Sequence, residues 1–407
     1  MSLSKQSAEA VVAGHICLDI IPRIEAKSGG IGSIVVPGKL VEIGPALAST
    51  GGAVANTGIA LHRLGIRTKL MGKVGGDMFG RTILRLLKES GEKLSEGMIV
   101  SREEFTSYSV VINPPDTDRT ILHCPGTNDT FSADDVRTED LAGARLFHFG
   151  YPPLMKRMYE GGGEELKRLL DKAKGAGLTV TLDMARPDPD ALSGQADWPS
   201  ILRRTLPFVD VFLPSFDEIL FMLRPRLFRR LSEECGGADL LARADGPLLS
   251  SLADELLGMG TAVVALKLGE HGLYVKTSAD RARLQAMGAC APDRRVISAW
   301  SGRELLAPCF RVKAVGTTGA GDCTIAGFLA GMLRGLPLEE TMRYAVAAGA
   351  CNVEAADAIS GIPQWRALTE RMASGWAHRD PLLPLPGWAY RPDCRLWASE
   401  RDAARQG

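Results

Sequence analysis

Within one ten-residue stretch, Val315-Gly316-Thr317-Thr318-Gly319-Ala320-Gly321-Asp322-Cys323-Thr324, flexible backbone meets a single carboxylate. It follows a strand-like run, Phe310 to Val315, and precedes an apolar helical run, Ile325 to Leu333. A Gly-rich turn that opens into a helix presents backbone N–H groups with no earlier turn to bond, and the helix dipole adds partial positive charge there. That is an anion site suited to phosphate. Asp322, read at the first helical position, would stand beside the anion, where a pure phosphate binder avoids like charge. A reaction that deprotonates a hydroxyl next to a phosphoryl group needs this pairing. The same spacing also suits a plain capping aspartate, so the neighbours of this stretch in the fold must decide.

Two further stretches carry chemistry. Val11 to Ile21 is a continuous apolar run broken only by His15 and Asp19, as in a strand of a sheet covered on both faces. Asp19 near the end of such a strand points to a ligand crevice; a strand-end turn is the plain alternative. Gly51-Gly52-Ala53-Val54-Ala55-Asn56 then runs into a small-residue helix over 57–64. Its glycines permit close approach of a ligand to the backbone, and Asn56 sits one turn on. Lys267-Leu268-Gly269-Glu270-His271-Gly272 is a turn at another strand end, where glycines can lie flat against a planar ring. A simple hairpin turn explains it equally well.

These stretches must be positioned by a scaffold, and the rest of the chain supplies one. Strands over 144–149, 178–183, 209–213 and 261–267 alternate with helices over 161–175, 197–206, 217–223 and 248–258. That alternation predicts an α/β fold with a doubly wound, mostly parallel sheet flanked by helices. Short alternating runs at 26–50 and 106–124, the second a hairpin around Pro114-Pro115-Asp116, predict a small β-sheet lid over the crevice. The main domain is expected over 10–375, with an Arg-rich insertion near 224–250 and a Pro/Trp-rich extension over 376–407 that docks on the domain or on a second subunit. Further helices are expected over 79–87, 338–356 and 363–373.

Composition excludes several classes. Of the 407 residues, 45% are apolar, and 48 basic residues balance 48 acidic ones. No basic block or polybasic segment points to nucleic acid or to an anionic membrane. No apolar run approaches a membrane span, and Met1 to Glu9 carries no apolar signal region. The eight cysteines are scattered with no Cys-x-x-Cys, and the six histidines show no metal spacing, so reduced thiols in a cytoplasmic protein are expected. No Gly-x-Gly-x-x-Gly follows the first strand, which argues against a dinucleotide dehydrogenase.

Taken together, the Thr317-to-Asp322 motif running into a small-residue helix, Gly51-Gly52 with Asn56, the stretch Gly72-Lys73-Val74-Gly75-Gly76-Asp77-Met78-Phe79-Gly80 and Asp19 resemble the ribokinase-like, or PfkB, carbohydrate kinases. The resemblance spans roughly residues 11 to 372 and implies a Rossmann-like sheet with a β lid, ATP as donor and Mg²⁺. It implies Asp322 as general base and the N–H groups of Gly319, Ala320 and Gly321 as anion hole. Asp19, Gly51, Gly52 and Asn56 would hold the acceptor, a small sugar or a nucleoside. Lys267, Gly269, Gly272 and Thr317 would line the nucleotide, Ala348 and Asn352 would flank its adenine, and Glu218 would serve the metal. A homodimer through the lid is a further expectation.

Three positions depart from the family pattern. Gly316 stands where an Asp is usual, which puts K⁺ activation and one sugar contact in doubt. Ser215 replaces Asn in Ser215-Phe216-Asp217-Glu218, while Glu218 survives. Ala53 stands where phosphosugar kinases often carry Lys, which disfavours a phosphorylated acceptor. The activity expected is transfer of a phosphoryl group to a hydroxymethyl group of a sugar or polyol. A nucleoside kinase, or a catalytically weak sensor on the same fold, is the alternative.

Overall fold

The computed structural model describes residues 7–24, 32, 34, 36–113, 120–235, 240–380 and 383–402. The hairpin tip at 114–116, most of 25–35, and parts of the insertion and of the chain ends lie outside these. Among the described residues, ten strands form one sheet in the spatial order Ala389–Arg391, Leu396–Ala398, Glu304–Ala307, Leu273–Thr277, Val263–Lys267, Val211–Phe212, Thr179–Leu182, Leu146–Gly150, Ala10–Gly14, Thr68–Met71. The six from Val263–Lys267 to Thr68–Met71 are parallel, and the other four continue the sheet antiparallel.

The apolar runs explain why both faces are covered. Along Ala10–Gly14, Ala10 and Val12 pack into one apolar layer, and Val11 and Ala13 into the other. Successive side chains of a strand point to opposite faces, so an unbroken apolar run needs two helical layers. One layer holds the paired helices Ala320–Leu333 and Leu338–Asn352. There Gly327 lies against Tyr344 and Ala345, and Gly331 against Thr341, with no room for a Cβ at Gly327. Small residues thus let the two backbones approach closely.

A second sheet of four strands, in the order Ala46–Gly51, Cys17–Pro22, Tyr108–Ile112, Thr120–Cys124, forms the lid. This corrects the reading of residues 11–21 as one strand. The chain leaves the main sheet at Gly14, whose φ of 126° and 2.4 Å Cβ approach to the Gly150 carbonyl oxygen admit no side chain. Cys17–Pro22 therefore belongs to the lid and carries Asp19 with it. The run 310–315 is not a strand either: Phe310 makes one bridge to His378, and the chain then passes through an irregular loop to Gly319.

The C-terminal region adds two strands to the main sheet. It is locked there by Asp402, which is fully buried and accepts from the Arg303 guanidinium at 3.1 Å. Trp376 stacks on Phe310 with centroids 4.3 Å apart. Of the insertion, the described part holds the helix Pro225–Glu234 and a short turn at Leu240–Arg243.

Candidate active site

Gly319 caps the Ala320–Leu333 helix with φ 74° and ψ 0°. A Cβ there would stand 2.6 Å from the Ala358 carbonyl oxygen, so both conformation and space demand glycine. The helix starts at Ala320, five residues earlier than the apolar pattern indicated, because small and charged residues fill its first turn. Asp322 is consequently its third residue rather than its first. The Ala320 N–H turns back to the Thr317 carbonyl at 3.3 Å, so one of the three expected anion donors already has a partner.

The Asp322 carboxylate is 3% exposed and is gripped from two elements. Asn56 Nδ2 donates to Oδ2 at 3.0 Å and Thr57 Oγ1 to Oδ1 at 3.3 Å, both from the helix Ala53–Arg63. The Tyr151 hydroxyl lies 2.9 and 2.8 Å from the two oxygens. Burial pushes the carboxyl above its ordinary range; the hydrogen bond from Asn56, the Lys267 ammonium and the bonds from Tyr151 and Thr57 pull the other way without cancelling it.

Lys267 ends the strand Val263–Lys267, and its ammonium meets the Asp183 carboxylate at 2.5 Å. Its stem also runs past Gly321, 3.5 Å from where a Cβ would stand. Glu218 is drawn into the capping box of the helix Phe216–Leu223, accepting from the Ser215 N–H at 2.7 Å. Asp183, Glu218 and Asp322 thus surround one ammonium. Burial is the first cause that raises Glu218 to about 8 and Asp183 to about 6, with Lys267 opposing it in both and a neighbouring carboxylate adding to it. Lys267 is raised despite burial, by these same carboxylates. Asp183 Oδ2 has no hydrogen-bond partner among the described residues. The site carries more negative charge than its own cation balances.

A cavity of about 650 Å³ opens onto this group. Its lining includes Glu218, Lys267, Gly269, Gly272, Thr317, Gly319, Ala320, Gly321 and Asp322, together with Leu241 of the insertion. Ala348 and Asn352, expected beside an adenine, do not border it. Ala348 faces Gly327 in the seam between the paired helices, and Asn352 donates to the Thr318 carbonyl at 2.8 Å. Val346, Gly349, Ala350 and Val353, on another face of the same helical region, reach the cavity instead. Gly316 lies against this helix end: its N–H and that of Val315 both donate to the Val353 carbonyl, and a Cβ at 316 would meet Ala355 O at 2.9 Å.

On the other side of Asp322, Asp19 lies across Gly51. A Cβ at Gly51 would stand 2.3 Å from Asp19 Oδ2. Gly52, at φ 90°, opens the helix Ala53–Arg63 directly against His15. Asp19 thus reaches Gly51 from the lid, and Gly52 and Asn56 follow at the start of the helix Ala53–Arg63.

Sequence reasoning passed over Asp183 and Thr57. Asp183 follows the apolar strand Thr179–Leu182, the same strand-end signal that drew attention to Asp19. Tyr151, at the end of Leu146–Gly150, holds a left-handed φ of 65°, a conformation that is costly for a residue with a Cβ and that no composition signal announces.

The model of the pfkB family of carbohydrate kinases matches residues 8–365. The chain belongs to that family. An uncharacterized sugar kinase of Archaeoglobus fulgidus is 28% identical over 305 residues, covering 74% of this chain and 97% of the relative. A 2-dehydro-3-deoxygluconokinase of Bacillus subtilis is 25% identical over 304 residues, 74% and 79%. A nucleoside kinase of Methanothermobacter thermautotrophicus is 25% identical over 322 residues, 79% and 83%. The fold matches that of an Arabidopsis thaliana ribokinase solved with ribose and ATP, at TM-score 0.65 and 19% identity, over 89% of this chain and 98% of that one. A ribokinase II of E. coli solved with ATP and Mg²⁺ gives TM-score 0.63 at 18% identity, over 90% and 99%. The sheet, its helical layers and its separate lid are thus the ribokinase-like fold. Among the described residues no helix is long and apolar enough to cross a membrane.

Proposed function

We propose that this carbohydrate kinase transfers the terminal phosphoryl group of ATP to a hydroxymethyl group of a small sugar or related polyol. The observation that carries the reading is Asp322: a buried carboxylate in the first turn of a helix whose Gly-rich start borders a 650 Å³ cavity. Asp322 takes the acceptor proton. Its raised affinity for protons suits it to that task. Asn56, Thr57 and Tyr151 orient it, which is a large part of catalysis when the reaction needs alignment more than covalent help. The helix start at Gly319–Gly321 supplies fixed positive potential to the phosphoryl oxygens.

The cavity is of a size that encloses a small organic ligand, and Lys267, Gly269, Gly272 and Thr317 border it. Mg²⁺ fits the donor set: Glu218 and Asp183 are oxygen donors, Asp183 Oδ2 is unpartnered, and the surplus negative charge favours a divalent cation. Bound there, the ion would neutralise phosphate charge. Asp19, with Gly51, Gly52 and Asn56, holds the acceptor hydroxyls. K⁺ dependence is part of the test, because Gly316 supplies no carboxylate where the family usually has Asp. The lid also shows Leu47, Ile121 and Leu122 more than half or about half exposed on its outer strands, which suits pairing with a second copy through the lid.

ADP release from Mg-ATP, measured across pentoses, hexoses, sugar acids, sugar phosphates and nucleosides, with and without K⁺, tests the reading. Acceptor-dependent release should fall by about 10²–10⁴ in Asp322→Asn while nucleotide binding persists. Undiminished turnover in Asp322→Asn would remove it as the base. Release with nucleosides alone would select the nucleoside-kinase alternative, and ligand binding without release would select the sensor.

A further inference from the structure

A second group of chemically able side chains borders the residues assigned to the acceptor, where the main sheet hands over to the lid. His15 stands in the turn between Ala10–Gly14 and Cys17–Pro22, Cys17 opens the lid strand, and His123 comes from the outermost lid strand, Thr120–Cys124. One ligand atom from each lies within 4.8 Å of the others. The Nε2 atoms of the two histidines face each other at 3.3 Å.

Two facing imidazole nitrogens must share either a proton or a cation. Tetrahedral zinc with Zn–N of about 2.0–2.1 Å separates two nitrogens by about 3.3–3.4 Å. The observed spacing is that edge. The corresponding N···S edge is about 3.6 Å, so ligation would draw Cys17 slightly inward. The surroundings support ligation as well. Ser109 Oγ contacts His123 Nδ1 at 3.1 Å and Cys17 Sγ at 3.7 Å, so one hydroxyl orients both ligands and fixes the His123 tautomer with Nε2 free for the metal. His15 is 2% exposed, and its Nδ1 has no hydrogen-bond partner among the described residues, so the ring is held through Nε2.

We propose that His15, Cys17 and His123 form a zinc site that ties the lid to the main sheet, with the fourth coordination position open to water. Two imidazoles and a thiolate select a borderline-soft ion, and exclude Mg²⁺, which prefers oxygen. On binding, the Cys17 thiol gives up its proton and the sulfur pair forms the Zn–S bond. The proton leaves by way of Asp19, whose Oδ1 accepts from the thiol at 3.3 Å in the metal-free chain. Apparent affinity therefore rises with pH.

The test uses the full chain stripped of metal and needs neither nucleotide nor acceptor, so it stands or falls separately from the kinase reading. Co²⁺ is titrated first, then Zn²⁺. One equivalent of Co²⁺ should give the visible bands of four-coordinate cobalt and a near-ultraviolet thiolate charge-transfer band, both erased by Zn²⁺. Zn²⁺ should also raise the melting temperature. Cys17→Ser should abolish the charge-transfer band, and His123→Ala, on an exposed strand, should weaken binding at least tenfold. A wild-type spectrum without a thiolate band would overturn the proposal even if the variants fail to fold. So would a band that persists in both variants, which would place the metal on other thiols.

Discussion

The two halves of the crevice are held by different means. On the side proposed to meet the phosphoryl group, the main chain of the loop before the Ala320–Leu333 helix is held by the Val315 and Gly316 N–H groups donating to the Val353 carbonyl, by the Asn352 side-chain amide donating to the Thr318 carbonyl, and by Gly319 packed against Ala358. It sits on a ten-stranded sheet with both faces covered. On the side proposed to meet the acceptor, Asp19 rides on a four-stranded lid whose outer strand Thr120–Cys124 is largely exposed. Positions that must not move are built from backbone and glycine. Asp19, proposed to meet the acceptor, is a side chain on a small sheet apart from the main one. Such an element can open without disturbing the core.

If that contrast is right, damage to the phosphoryl side should lower turnover for every acceptor alike. Gly319→Ala is the sharpest case. The left-handed conformation costs alanine about 1–2 kcal/mol, and the new methyl must displace Ala358 or the loop. Displacement of an aligned group by about 1 Å can cost 10²-fold. The expected result is a fall in kcat of about 10² across a panel of acceptors, with acceptor KM little changed. A loss confined to one acceptor would break the contrast.

Asp19→Asn should do the opposite. It keeps the shape that packs over Gly51 and removes the charge that an acceptor hydroxyl would meet. A hydrogen bond to a charged group is worth about 1.5–3 kcal/mol, so kcat/KM for the acceptor should fall about 10- to 100-fold while the KM for ATP stays constant. A matching rise in the KM for ATP would show that the halves are not separable.

The contrast also explains what the sequence could disclose. The Gly-rich loop, the parallel strands and the helix pair were legible because local spacing and apolar periodicity determine them. Asp19 was read at the end of the first strand, whereas it lies on the lid: both strands flanking the Gly14 turn are apolar, and periodicity does not reveal a change of sheet. The run 310–315 looks β-forming by residue type, yet beyond Phe310 it finds no strand to pair with. The tail's tryptophans signalled docking; its entry into the sheet depends on two three-residue strands and on the buried Arg303–Asp402 pair, neither visible as a pattern. Ala348 and Asn352 lie away from the cavity on a helix that is buried nearly all round, where no amphipathic stripe indicates direction.

Tyr151 offers the finest test, because it belongs to both halves. Its hydroxyl grips Asp322, while its ring lies 6.0 Å from that of His15 at the root of the lid. Tyr151→Phe keeps the ring and removes one donor from the base. Loss of one bond to a carboxylate, about 1.4 kcal/mol, corresponds to about tenfold in kcat. The pH profile separates orientation from packing. The Tyr151 bond lowers the proton affinity of Asp322 against the larger effect of burial, so its removal must raise that affinity further. Asp322 acts as a base only when ionised. The acidic limb of kcat/KM should therefore move to higher pH in Tyr151→Phe, and activity lost near neutrality should be partly regained in alkaline buffer. A uniform tenfold loss with an unmoved limb would mean that Tyr151 serves the site by filling space, and that the base is positioned by Asn56 and Thr57 alone.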